Sequence, residues 1–308
     1  MPRLNDVDLC GPVIKTDIQV REDGRQEVVM VMAVIRGYRN VGDGRKNIKI
    51  DRPIIMSRNK EMIYKIASWK KNDIVRITGA VTSRTRNKRH ICAFCKQENH
   101  NEGLSVYIEP KSAEKLFTFR DDSESLSYLN TIRETSNRVK LFGNLCRDPK
   151  KVAVKNGPVV TQYPLAVGRV FTIHEDPPNI DTDYPWVKSY GPNAISDRRR
   201  LKLGSTIFLD GIIQTRSINR KTVCEHCGKL YEWKERTLEL VPYQNEYIAN
   251  FYTEEEAIEN EKKRNAQRLK DLGYDKYLFN DDQLLKDYDN DEITEEDIAA
   301  GIDTELDS

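Results

Sequence analysis

Four of the six cysteines stand in two Cys-x-x-Cys pairs, Cys92 with Cys95 in "SRTRNKRHICAFC" and Cys224 with Cys227 in "TRSINRKTVCEHC". A turn of this kind offers two thiolates to one ion, and a structural zinc site takes four ligands in a tetrahedron. Each pair is therefore half a site. All four cysteines could surround one shared zinc, or each pair could be completed separately, by His90 or His100 in the first and by His226 in the second. Redox chemistry is less expected, because the pairs end basic hairpin segments and lie in no βαβ context.

The pairs are 132 residues apart, and the same offset relates much of the chain to itself. It carries Arg84 onto Arg216, Gly79 onto Gly211, Pro110 onto Pro242 and "NDVDLCG" onto "NRVKLFG". Around Gly24 and Ala33 the offset slips to 133, the size of an ordinary loop insertion. The chain is a tandem duplication, and each copy carries half the thiolate set. Cys10 and Cys146 match Phe142 and Ile14, so they are expected to pack as small hydrophobes.

Both copies alternate apolar and polar residues in β-branched segments such as "EVVMVMAVIRGY", "DIVRITGAVTSR" and "STIFLDGIIQTRS". Short helices are predicted at 60–70 and near 194–202. Five strands with a helix between the third and fourth make a small Greek-key barrel, so the expected class is all-β dominated, with two tandem OB-folds. The expected division is an OB-fold over 1–111, a linker over 112–136, an OB-fold over 137–250, a helical segment over 251–280 and an acidic tail over 281–308.

Residues 281–308 hold twelve acids against the single base Lys286, a net of −11, which leaves +12 on residues 1–280 of a chain whose formal charge is +1. A basic body with an acidic tail suits a polyanion partner, with the tail as competitor or docking handle. A mean hydropathy of −0.68 and the lack of a long apolar run exclude a membrane role. The charged start "MPRLNDVDLCGP" is no secretory signal. Unpaired knuckle cysteines then fit a reducing, cytoplasmic setting.

Bases gather on the predicted hairpins, at Arg84 and Arg86 in copy one and at Arg216, Arg220 and Lys221 in copy two. Arg36 lies beside the aromatic Tyr38. Cations beside aromatics in two copies of one barrel favour nucleic acid, where bases of the protein track phosphates and rings stack on nucleobases. No nucleotide-binding loop, metalloprotease helix or nucleophile elbow occurs, so an enzyme is not expected.

Copy two also resembles the bacterial and phage single-stranded DNA-binding protein family. The resemblance runs through the opening N-x-V-x-L-x-G strand, Asp148-Pro149, the Asn156-Gly157 turn, Leu165-Ala166-Val167 and "LGSTIFLDGIIQTRS". It implies a protein that coats single-stranded DNA in replication, recombination or repair. By position it assigns stacking to Phe171, Trp186 and Tyr190 and phosphate contacts to Arg169 and Arg216. Tyr38 matches Phe171, whereas Ile54 and Arg58 stand where copy two has Trp186 and Tyr190, so copy one is expected to hold the strand mainly by charge. Family members usually work with four barrels, which implies a homodimer here. The tail ends "GIDTELDS" without the family's Pro-Phe tip, leaving Ile302 and Leu306 as the candidates for docking replication or recombination proteins. The alternatives are a zinc-dependent adaptor of a replication or recombination complex and an RNA-binding regulator.

Overall fold

The structure is a computed structural model that describes residues 3–20, 24–36, 49–152, 158–171, 173 and 181–271. Tyr38, His174, the Asn156-Gly157 turn and the acidic tail lie outside these residues.

The first copy contributes β1 (Asn5–Val20), β2 (Gln26–Met32), the short β3 (Val34–Ile35) and β4 (Ile50–Asp51), β5 (Ile54–Ser57), α1 (Lys60–Ala67), β6 (Asp73–Ile91) and β7 (Glu98–Thr118). β1 is shared between two neighbours: its Val7–Pro12 stretch pairs with β6 and its Val13–Val20 stretch with β2. β2 pairs with β5, β5 runs parallel to β7 at Ile55 and Ile108, and β7 returns antiparallel to β6. The barrel is closed.

After α2 (Asp122–Thr131) the second copy repeats the plan. Its elements are β8 (Asn137–Leu145), β9 (Lys150–Val152), β10 (Val160–Gly168), β11 (Thr182–Asp183), β12 (Trp186–Tyr190), α3 (Gly191–Arg200), β13 (Thr206–Val223) and β14 (Leu230–Ala249). β8 pairs with both β10 and β13, β12 runs parallel to β14, and the circle closes. Each half is an OB-fold. α4 (Glu254–Asp271) follows and sets Glu261 against Arg198 and Arg199 of α3. β7 extends to Thr118, seven residues into the stretch read as linker, because Ile74 and Asp73 still find partners in Phe117 and Thr118. Among the described residues no helix is long and apolar enough to cross a membrane.

The signature N-x-V-x-L-x-G has a reason at every fixed position. Val7, Leu9, Val139 and Leu141 are fully buried in one core that runs through both barrels. Asn5 Nδ2 donates to the Val81 carbonyl and Asn5 Oδ1 accepts from the Val81 N–H, both at 2.8 Å. Asn137 does the same to Ile213 at 2.8 and 2.9 Å. A methyl group on Gly11 would lie 2.0 Å from the Ala33 carbonyl oxygen, and one on Gly143 would lie 2.4 Å from that of Ala166. These glycines let the first strand cross close to its neighbour.

The barrels join through β1 and β8, which pair antiparallel with Asn5 opposite Leu141, Val7 opposite Val139 and Leu9 opposite Asn137. Val7 faces its own repeat counterpart, so a pseudo-twofold axis passes through that pair. Replacing Asn137 with alanine should leave a buried N–H and a buried carbonyl unpaired, at about 1–3 kcal/mol for each group. Denaturant unfolding of Asn137→Ala and Asn5→Ala checks this; a loss below about 0.5 kcal/mol would mean that the side chain does not satisfy those groups.

Candidate nucleic-acid face and metal centre

β6–β7 and β13–β14 outrun their barrels as two long hairpin arms lying side by side. Asn101 Nδ2 donates to Thr222 Oγ1 at 3.0 Å, Glu225 N–H donates to Asn99 Oδ1 at 3.0 Å, and Lys88 pairs with Glu235. His90 bonds the Tyr231 hydroxyl through Nδ1 at 2.6 Å and stacks on Trp233 with ring centroids 4.3 Å apart. Burial lowers its pKa, so it is held as a neutral ring.

At the arm tips the sulfurs of Cys92, Cys95, Cys224 and Cys227 all lie within 4.8 Å of one another. Cys92 to Cys227 is 3.8 Å and Cys95 to Cys224 is 3.5 Å. A tetrahedron of Zn–S bonds of about 2.3 Å has sulfur–sulfur edges of about 3.8 Å, so the four fit one zinc-sized ion. The two turns match bond for bond. Lys96 N–H reaches the Cys92 carbonyl at 3.1 Å and Gly228 N–H the Cys224 carbonyl at 2.9 Å, both residues at positive φ. Although burial opposes its ionisation, Cys224 is drawn down to about 6 by the N–H groups of Cys227 and His226 and by Asn99 and Cys95. Cys95 is helped by the Gln97 N–H, but burial and the other three thiols push it up to about 12. Four thiols this close cannot all ionise without a cation between them. The histidines of the alternative sites are engaged elsewhere: His226 Nε2 contacts the Glu98 carbonyl at 3.0 Å, and His100 lies 3.5 Å from the Glu98 carboxylate.

Below the arms the barrels latch onto each other twice, through residues at equivalent positions of the two copies. Arg36 holds Asp51 with Nε at 2.5 Å and Nη2 at 2.9 Å, and Asp51 accepts from the N–H of Thr215, at 2.6 Å, across the axis. The Thr215 hydroxyl accepts from Arg52 N–H at 2.9 Å. In the mirrored set Arg169 pairs with Asp183 at 2.6 Å, Asp183 accepts from Ser83 N–H at 2.7 Å, and the Ser83 hydroxyl accepts from Tyr184 N–H at 2.7 Å.

These latches correct one expectation. Arg169 is 1% exposed and paired with an equally buried carboxylate, so it holds β11 in place and cannot meet a phosphate. Arg36 plays the matching part with 16% of its side chain exposed.

The other expected bases lie on the outer face in company with acids. Glu239 receives both Arg216, at 3.0 Å, and Lys188, at 3.1 Å. Glu27 receives Arg58, at 3.2 Å, and Arg86. Glu235 receives Lys88 and also Arg220, at 2.7 Å, while the exposed Lys221 meets Glu232 at 3.2 Å. Arg84 is half-buried near Glu109. Trp186 and Tyr190 are half-buried on one face of β12 with Lys188 between them, and Gln214 donates to the Tyr190 hydroxyl at 3.3 Å. Phe171 is half-buried beneath the ammonium of Lys111, 5.1 Å from its ring centroid, a contact made from the other barrel.

Sequence reasoning missed the acids Glu27, Asp51, Asp183, Glu235 and Glu239, and the base Lys188. Asp51 and Asp183 do obey the 132-residue offset, so the repeat contained that signal.

Residues 136–227 match the sequence profile of the Single-strand binding protein family. The match starts at β8, runs through β13 and ends on the last knuckle cysteine, short of β14. No curated protein matches the chain in sequence. Among solved structures, the wild-type single-stranded DNA binding protein from Thermus aquaticus is similar in fold, with a TM-score of 0.53 and 16% identity over 82% of this chain and 97% of that one. A deletion variant of the same Thermus aquaticus protein gives a TM-score of 0.51 and 18% identity over 83% and 100%. The likeness covers most of the chain and shows a shared fold.

Glu109 provides a pH test of the face. Burial pushes its carboxyl up to about 7, against the opposing pull of the Ser57 hydroxyl and of Arg84, Arg58 and Arg169. A carboxyl raised in the folded state takes up protons on folding, so its contribution is fully present below the usual carboxylate range and is lost as pH rises through about 7. Glu109→Gln should therefore gain stability relative to the parent between about pH 5 and about pH 8, as read by denaturant unfolding. A constant difference across that range would show that Glu109 ionises normally.

Proposed function

We propose that the chain is a non-enzymatic protein that coats single-stranded DNA across both barrels, in replication, recombination or repair. The observation that carries this is the family match over residues 136–227, which falls on the barrel that also bears Trp186, Tyr190, Phe171 and Arg216. Rings at the first two positions supply stacking, and Arg84, Arg86, Arg216, Arg220 and Lys221 supply phosphate contacts. Arg36 acts from behind, by holding the Asp51 that accepts from the N–H of Thr215, the neighbour of Arg216 in the chain. The Thermus aquaticus protein of similar fold is a single-stranded DNA binding protein, which supports the same ligand here.

Zinc serves as a structural clamp in this proposal. Cys92, Cys95, Cys224 and Cys227 would hold one ion shared by the two arms, and the ion would supply fixed geometry rather than chemistry. The acidic tail, 281–308, serves as a handle for replication or recombination proteins, and a homodimer would bring four barrels together.

Labelled oligo-dT, oligo-U and duplex DNA of equal length, titrated at two salt concentrations, test the ligand. Tight binding of oligo-dT that weakens with salt, with little affinity for duplex, is the expected result; equal binding of oligo-U would reassign the ligand to RNA. In the same assay Trp186→Ala should cost about 1–3 kcal/mol, the worth of one stacked base, and unchanged affinity would remove Trp186 from the site. Metal analysis tests the clamp. The parent should carry a single zinc per chain, lost in Cys224→Ser and kept in His100→Ala and His226→Ala. Two zinc ions per chain, or loss in a histidine variant, would replace the shared site with separate ones.

A further inference from the structure

We infer that Lys111, which projects from barrel one, is a strand-binding residue of barrel two: its ammonium covers one face of the Phe171 ring and meets the phosphate beside a base stacked on the other face. This deepens the single-strand binding proposed above and rests on it.

The placement comes from a break in a strand. β6 and β7 pair residue for residue from Ile91 and Glu98 down to Gly79 and Pro110, and the next pair is Thr78 with Ser112, so Lys111 is an extra residue between two rungs. Pro110 suits that place because it has no N–H to give to the ladder. Gly79 suits it because a methyl group there would lie 2.3 Å from the Glu109 carbonyl oxygen. A bulge bends its strand and re-aims the side chain it carries. Alternation fails at this point, and Lys111 and Ser112 are both exposed. Barrel two repeats the device: Gly211 pairs with Pro242 and Asp210 with Gln244, which leaves Tyr243 as the extra residue. The bent backbone is common to both copies, whereas the side chain it aims is a cation in one and a ring in the other.

The bulge directs Lys111 across the axis. Its Nζ lies 5.1 Å from the centroid of Phe171, a ring assigned to stacking on barrel two. Its other contacts are long, 3.4 Å to the Asn5 carbonyl oxygen and 3.9 Å to the Asp6 carboxylate, against about 2.8 Å for a close charge-assisted bond. Asp6 has 54% of its side chain exposed, so water screens that pair. The ammonium is thus placed by a ring and a backbone oxygen, with 35% of its own side chain exposed. The other end of the contact is fixed too. Two residues before Phe171, Arg169 is anchored by its N–H on the Asp181 carbonyl at 2.7 Å and by its guanidinium on Asp183. A cation on one face of a ring leaves the opposite face for a nucleobase, whose own phosphate then comes within reach of the long lysine stem. Neither barrel alone holds both ring and cation, so a strand lying on Phe171 touches both halves of the chain.

Labelled oligo-dT titrated over a salt series against the full chain tests this. Lys111→Met keeps much of the stem and removes the charge. It should weaken binding about five- to tenfold at low salt and reduce the slope of log K against log salt by about 0.7, the worth of one phosphate contact on a single strand. Lys111→Arg should bind like the parent. Phe171→Leu and the variant carrying both Phe171→Leu and Lys111→Met locate the contact, because a ring and a cation acting on one nucleotide predict a combined loss clearly smaller than the product of the two single losses. Lys111 is exposed, so these variants should fold, and circular dichroism checks that they do. Weaker binding of Lys111→Met with the parent's salt slope would mean that the residue only packs the barrels together, which overturns the proposal, as do losses that multiply in full. Parent binding with an unaffected Lys111→Met overturns the role of Lys111 alone, whereas failure of the parent to bind overturns it together with the strand binding beneath it.

Discussion

Everything beyond the individual barrels depends on the backbone ladder between β1 and β8. With Val7 opposite Val139, each residue on one side of the axis is answered by its repeat counterpart on the other. The ladder makes one twelve-stranded sheet of two closed barrels. Since β6 and β13 flank β1 and β8 on their respective sides, the long hairpins built on them are obliged to rise together. The four cysteines meet because the ladder sets the arms side by side, and the latches of Asp51 to Thr215 and of Asp183 to Ser83 lock the base of those arms in the same register.

The ionic residues follow a gradient from axis to surface. Nearest the axis, Arg169 and Asp183 neutralise each other inside the protein, one acid to one base. On the outer face each of Glu27, Glu239 and Glu235 meets two bases. Apart from Arg58, which follows β5, these bases and acids sit on strands and arms, where a rigid backbone keeps them within hydrogen-bond reach.

Much of this was legible in the sequence where the physics is local or repeated. Alternating apolar residues marked the strands, and the 132-residue offset disclosed the two barrels and made the two knuckles halves of one cluster. Asn5, Asn137, Gly11 and Gly143 were visible as a motif, although their purpose appears only when Val81, Ile213 and the carbonyls of Ala33 and Ala166 come close. Less legible was the fate of each charge. Arg169 and Arg216 look alike in sequence, yet one is walled in by Asp183 and the other leans outward on Glu239. Such partners are chosen by the fold over long separations, as with Asp51 and Thr215, 164 residues apart. The acids Glu27 and Glu239 escaped notice because neither is repeated in the other copy.

The twofold relation between the barrels has a bearing on the polymer proposed above as their ligand. A nucleic-acid strand runs from one chemical end to the other, whereas a twofold axis presents any feature once forwards and once in reverse. Two identical chains arranged about such an axis would have to accept both directions with one surface. Joining the halves covalently removes that constraint, because each barrel can then be fitted to the direction in which the strand crosses it. Trp186, Lys188 and Tyr190 on one side of the axis and Ile54, Met56 and Arg58 on the other show how far the two surfaces have parted while the backbone beneath them stayed the same.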